Sequence, residues 1–174
     1  MPARSVCAEI GVLAGDFSER ILTVVQPARL HLVDPWRYET DERYERSVYG
    51  GPKGGSQADM DALYAAVCRR FAGRVTAGTV AIHRAASTDA AAGIPDGSLD
   101  WVYIDANHQY EFVKADLETW APKVRRGGFI TGDDYGITGW WEGGVTRAVD
   151  EFVAAGRCGA VETFGSQFIL RKPA

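Results

Sequence analysis

The chain has 174 residues, 46% hydrophobic and 24% charged, enough for one domain with a full core and ordinary for a soluble globular protein. A net charge of −4 excludes a basic nucleic-acid-binding surface as the default, and no apolar stretch approaches the ~20 residues needed to span a bilayer, so neither nucleic acid nor membrane is an expected partner. The three cysteines, Cys7, Cys68 and Cys158, are scattered without metal spacing, and the residues before Val6 are too few for a signal peptide, so a reducing, cytoplasmic setting is expected.

Val6–Val12 has the composition of a buried strand and runs into a glycine-punctuated turn, Gly11 to Gly15. Helical periodicity follows through Ile21, Leu22, Val24 and Val25, and stops near Pro27. Leu30–Val33 is a second strand, ended by Asp34-Pro35. Residues 36–56 are irregular and rich in charge, tyrosine and glycine. Within them, Tyr49–Gly55 is either a lid over a ligand or an ordinary loop. Ala58–Phe71 carries Met60, Leu63, Tyr64, Val67 and Phe71 at helical spacing. Val80–His83 is a third strand, and Thr88–Ala92 a short helix or turn.

The stretch 100–135 carries the densest chemistry. Two apolar runs, Trp101–Ile104 and Phe129–Thr131, end in acid: Asp105 after the first, Asp133 and Asp134 after the second. Between them a helical pattern spans roughly Tyr110–Val124, closed by Arg125, Arg126 and Gly127-Gly128. Strand–helix–strand units of this length are parallel with right-handed crossovers, so the three carboxylates converge on one sheet edge. Three acids at close range need a cation or a shifted pKa, and hard oxygen donors suit Mg²⁺ or a similar ion. After a loop at 135–144, Val145–Ala155 is helical. Ala160–Phe164 and Gln167–Leu170 form a hairpin about Gly165-Ser166. The expected fold is α/β: a Rossmann-like doubly wound sheet of seven strands in one domain, residues 1–174, mostly parallel with an antiparallel C-terminal hairpin.

The glycine turn would let backbone approach a ligand, although its spacing is neither G-x-G-x-x-G nor a phosphate-binding loop; tight packing explains it equally well. Asp34, about 20 residues on, stands where nucleotide-binding folds place an acid that accepts from ribose hydroxyls; its alternative is an Asp-Pro turn or cap. Trp140-Trp141 either lines an acceptor pocket or packs on the sheet edge.

Taken in order, these pieces resemble the class I S-adenosylmethionine-dependent methyltransferases. The closer resemblance is to the small-molecule and sugar O-methyltransferase branch that includes metal-dependent macrolide-sugar enzymes. Glu9-x-Gly11-x-x-x-Gly15 with Ser18 is similar to the first cofactor motif. Leu-Val-Asp34-Pro-Trp36 is similar to the second-strand motif. Asp100–Glu111, Asp116-Leu117 and Gly127-Gly128-x-Ile-x-x-Asp133-Asp134 resemble the fourth and fifth strands with their helix. The resemblance implies that Gly11 and Gly15 line the methionine and ribose of the cofactor, that Glu9 organises the turn with Ser18, and that Asp34 binds the ribose. Ala86 and Ser87 would lie near the adenine. Asp105, Asp133 and Asp134 would hold Mg²⁺, with Asp105 also beside the cofactor, and His108 would be the general base. Asp116 matches the family but reads as a solvated or helix–loop residue. The implied activity is methyl transfer to a hydroxyl of a sugar or other small molecule. Two rivals stand beside it: a metal-independent transferase to oxygen or nitrogen, and a cofactor-binding partner protein without turnover. Relatives carry extra helices before the first strand. Here the acceptor pocket would instead be open, completed by residues 36–56, or completed by a second subunit of a homo-oligomer.

Overall fold

The computed structural model describes residues 1–174. Seven strands form one sheet: β1 Val6–Ile10, β2 Arg29–Asp34, β3 Val80–Arg84, β4 Leu99–Ile104, β5 Val124–Gly132, β6 Glu162–Phe164 and β7 Gln167–Arg171. Their order is β3-β2-β1-β4-β5-β7-β6. The first five are mutually parallel, and β7 runs antiparallel to both β5 and β6. This is the expected doubly wound sheet with its antiparallel C-terminal hairpin.

The helices are α1 Asp16–Arg20, α2 Gly51–Gly54, α3 Gln57–Thr76, α4 Ser87–Ala91, α5 Tyr110–Trp120 and α6 Gly144–Ala154. α1 continues as a π-helical turn over Ile21–Val25, and Gln26 at φ 52° closes it before Pro27. Ser56 caps α3 by accepting from the Asp59 N–H.

Period-two alternation in the strands divides the core between the faces. Ala8, Ile10, Val102, Ile104 and Ile130 meet α4, α5 and α6 through Ala91, Leu117, Trp120, Val149 and Phe152. Cys7, Leu30, Leu32, Trp101 and Tyr103 meet α1 and α3 through Ile21, Met60, Val67 and Phe71. No helix is long and apolar enough to cross a membrane.

One boundary differs from expectation. The helix anticipated over 110–124 ends at Trp120 with a 3-10 turn, Ala121–Lys123, containing Pro122. Val124 opens β5, and Gly127-Gly128, expected as a helix exit, lies inside that strand. Proline halts the helix early. The glycines then absorb an irregularity: Leu99 pairs with Val124 but Trp101 with Phe129, and Gly127 sits at φ 70°. An added Cβ at Gly128 would lie 2.5 Å from the Asp100 carbonyl oxygen. These glycines form a bulge, not a cap.

Candidate active site

The strand order reverses between β1 and β4, so the carboxyl ends of β1, β2, β4 and β5 open onto one crevice. Gly11, just past β1, donates to the Val33 carbonyl at 2.9 Å, while the Asp105 N–H donates to the Ile10 carbonyl at 2.8 Å. An added Cβ at Gly11, which adopts φ 91°, would lie 2.0 Å from the Asp105 carbonyl oxygen. Only glycine lets β1 end this close to β4. Glu9 is 1% exposed and accepts from the Ser18 hydroxyl at 2.5 Å. Burial pushes its pKa up to about 8; Ser18 works against this, and the Asp105 and Asp34 charges add to it. Glu9 thus ties β1 to α1 beneath the turn.

Asp34 ends β2 and is 1% exposed. Its Oδ2 accepts from the Val12 and Leu13 N–H groups, each at 2.9 Å, and its Oδ1 from the Trp36 N–H at 2.7 Å. The Tyr49 hydroxyl also donates to Oδ2. The Trp36 indole N–H donates to the Leu13 carbonyl at 2.9 Å, closing the second strand onto the turn. Ala86 and Ser87 lie beyond β3 at the start of α4. The Ser87 hydroxyl faces the interior, donating to Asp116 at 2.5 Å and accepting from the Trp120 indole at 2.8 Å. Asp116 is therefore a buried helix–loop contact, and burial raises its carboxyl to about 6.

Beyond β4 and β5 the acids divide. His108 Nε2 lies 3.2 Å from Asp105 Oδ1, and its Nδ1 lies 3.1 Å from Asp134 Oδ2. One donor atom from each of Asp105, His108 and Asp134 falls within 4.8 Å of the others. Two carboxylates and an imidazole at that spacing suit a divalent cation. The carboxylate of Asp133 has other partners: the Ser166 hydroxyl at 2.5 Å, the Tyr103 hydroxyl at 3.3 Å and the Asp134 N–H at 2.9 Å. Asp134 adopts φ 62°, uncommon for a residue with a side chain. Burial works against protonation of His108, but the Asp105 hydrogen bond and the Asp134, Asp105 and Asp133 charges outweigh it and raise its pKa. Burial likewise raises Asp134, which the His108 charge opposes.

Residues 36–56 cross above this cluster. The Tyr44 hydroxyl accepts from the Asn107 amide at 2.8 Å, and the Tyr44 ring meets Trp140 with centroids 6.1 Å apart. Trp141 lies edge-on to His108 at 4.7 Å, and its indole N–H is buried without a partner. The roof over His108 is aromatic. Three partnerships had no sequence signal: Tyr49 on Asp34, Ser166 on Asp133 and Tyr44 on Asn107. Each joins a loop position to a distant strand end. That His108 belongs with the acids was legible from its spacing of three residues after Asp105.

No curated protein matches the chain by sequence. Solved structures share its fold. A Corynebacterium glutamicum protein is 16% identical with a TM-score of 0.65, covering 97% of this chain and 72% of its own. A Streptococcus mutans protein solved with S-adenosylhomocysteine is 8% identical at 0.63, covering 99% and 90%. The N-methyltransferase NodS from Bradyrhizobium japonicum is 12% identical at 0.63, covering 99% and 88%. A family model described as a methyltransferase domain matches residues 8–135, from β1 through the acids that follow β5. The chain belongs to this methyltransferase family, on the fold of the class I S-adenosylmethionine-dependent enzymes.

Proposed function

We propose that the protein transfers a methyl group from S-adenosylmethionine to a hydroxyl of a sugar or other small molecule, assisted by Mg²⁺ or a similar cation. The observation that carries this reading is the Asp105–His108–Asp134 cluster beside the Gly11–Gly15 turn and Asp34. The Streptococcus neighbour's bound S-adenosylhomocysteine supports the cofactor class.

S-adenosylmethionine supplies a methyl group already activated on a sulfonium, so the protein's task is positioning. Gly11 and Gly15 pack the turn tightly against the Asp105 main chain and the Phe71 ring so that its backbone could meet the cofactor, Glu9 and Ser18 hold the turn, and Asp34 would accept from the ribose hydroxyls. The turn at Ala86 and Ser87 faces the adenine; since the Ser87 hydroxyl is engaged with Asp116, its main-chain N–H makes that contact. Asp105 and Asp134 would hold a divalent cation, which would supply Lewis acidity that lowers the pKa of an acceptor hydroxyl and orients it. Asp133 adds charge from behind and anchors the closing hairpin through Ser166. His108 takes the hydroxyl proton. Asp105 and Asp134 raise the His108 pKa, and a cation held on those carboxylates would offset that charge and leave His108 freer to act as a base.

A second reading makes His108 the third metal ligand, because its nitrogens lie in the same 4.8 Å cluster as the carboxylates. Mn²⁺ titration of wild type, Asp134→Asn and His108→Ala separates the two. Asp134→Asn loses cation affinity under either reading, and an unchanged affinity contradicts the site. His108→Ala keeps cation affinity if His108 is the base and loses it if His108 is a ligand.

A further inference from the structure

Asp34 is 1% exposed and crowded by donors, three of them on Oδ2 and one on Oδ1. An ionised carboxylate offers about four acceptor sites, and Asp34 accepts from four donors: the Val12, Leu13 and Trp36 N–H groups and the Tyr49 hydroxyl. Three of these are main-chain groups next to the strand ends. The fourth is a side chain carried in from a loop.

We infer that Tyr49 is an internal occupant of the ribose position, and that the segment 37–56 is a strap that lifts from the crevice when the cofactor binds. This rests on Asp34 being the ribose acid. A ribose diol cannot reach Asp34 while the phenol holds it, and Tyr49 is the donor that can leave without breaking the sheet. The strap is built to move. Gly50, Gly51, Gly54 and Gly55 follow Tyr49, with Gly51 at φ 56° and Gly55 at φ 69°. Apart from Tyr49 and the Ser56 cap of α3, its hydrogen bonds to the body are the Tyr38 N–H to Gln57 at 2.9 Å, the Arg43 guanidinium to Gln109 and Glu111 at 3.3 and 3.4 Å, and the Tyr44 hydroxyl accepting from Asn107 at 2.8 Å, while the Glu39–Tyr49 and Tyr38–Gly51 bonds lie within the strap and would travel with it. The same strap carries Tyr44, which meets Asn107 and Trp140 above His108. Lifting Tyr49 therefore also shifts a wall of the acceptor side, so the two sites are coupled through one segment.

The test titrates S-adenosylhomocysteine calorimetrically into wild type and Tyr49→Phe. Removing the competing hydroxyl is expected to tighten binding by about tenfold or more, the scale of one hydrogen bond to a charged group. Equal or weaker binding by the variant overturns the proposal, because Tyr49 is then scaffold or a cofactor ligand. A second measurement uses wild type alone. Trypsin cleavage at the exposed Arg46 and Lys53 is expected to quicken with saturating S-adenosylhomocysteine, and slowed or unchanged cleavage overturns the lifting strap. Binding by neither folded protein removes the cofactor reading itself, and the proposal with it.

Discussion

His108 shows how much of the site rests on single side chains. It stands between two carboxylates that hold its proton, with Trp141 edge-on to its ring. Under the general-base reading, His108→Ala lowers methyl-transfer turnover by about 10²–10⁴-fold with cation present. It also removes the ionisation from the pH–rate profile, while S-adenosylhomocysteine affinity is unchanged. An unaltered profile would contradict the general-base role and leave His108 a packing residue against Trp141. At this scale the sequence was legible where chemistry sits at strand ends. Asp34, Asp105 and Asp134 were all placed by the hydrophobic run before each of them. It was opaque where an acid's partner comes from a loop. Nothing in the spacing of Asp133-Asp134 tells which carboxylate turns toward His108 and which toward Ser166. That choice depends on the left-handed backbone at Asp134 and on the hairpin that delivers Ser166.

The β1–α1 turn joins cofactor geometry to stability. Gly11 is pressed against the Asp105 carbonyl, so Gly11→Ala must push β1 and β4 apart at the crevice. Backbone strain and overpacking of this kind cost about 1–3 kcal/mol each. Together they amount to about 2–6 kcal/mol, so for a chain of this size thermal unfolding is expected to show a Tm lower by roughly 4–24 °C, together with lost S-adenosylhomocysteine affinity. A variant as stable as the parent would mean the turn tolerates a side chain and the close approach is incidental. Elements were legible where periodicity was sustained: the 57–76 helix extends the pattern read over 58–71, and strands Val80–Arg84 and Gln167–Arg171 differ from the reading by a residue. The exception is Gly127-Gly128. Local chemistry points to a helix exit, and only the pairing of β5 with β4 reveals a bulge.

For the whole molecule, alternating strands and helices foretold the doubly wound sheet, and with it the crevice at the carboxyl ends. Residues 36–56 and Trp140-Trp141 were named in the sequence as candidate walls of an acceptor pocket, but no periodicity encodes where such loops lie, and only the structure sets Tyr44 against Trp140 and Trp141 against His108. One global property follows from a pair outside the site. His31 Nδ1 and His83 Nε2 lie 3.0 Å apart on adjacent strands. Burial, the His83 charge and Arg29 depress His31 from 6.5 to about 4, and burial and Arg29 also lower His83. Between those values the unfolded chain binds more protons than the folded one, so this contribution is present above pH 6.5 and lost as pH falls toward 4. Chemical denaturation across that range should show stability falling with acid, with a shallower fall in His31→Asn. Equal slopes would acquit the pair.

The Gly11–Gly15 turn and Asp34 are proposed to form an S-adenosylmethionine site beside a metal-assisted acceptor site. Calorimetric titration of S-adenosylhomocysteine, with Mg²⁺ and with EDTA, into wild type and Asp34→Asn tests it most directly. The account predicts micromolar binding by wild type in both conditions and at least about tenfold weaker binding by the variant, the scale of a lost charged hydrogen bond. Circular dichroism of the variant confirms its fold, since Asp34 also holds the turn. Binding of NAD in place of S-adenosylhomocysteine, or equal affinity in both proteins, would contradict it.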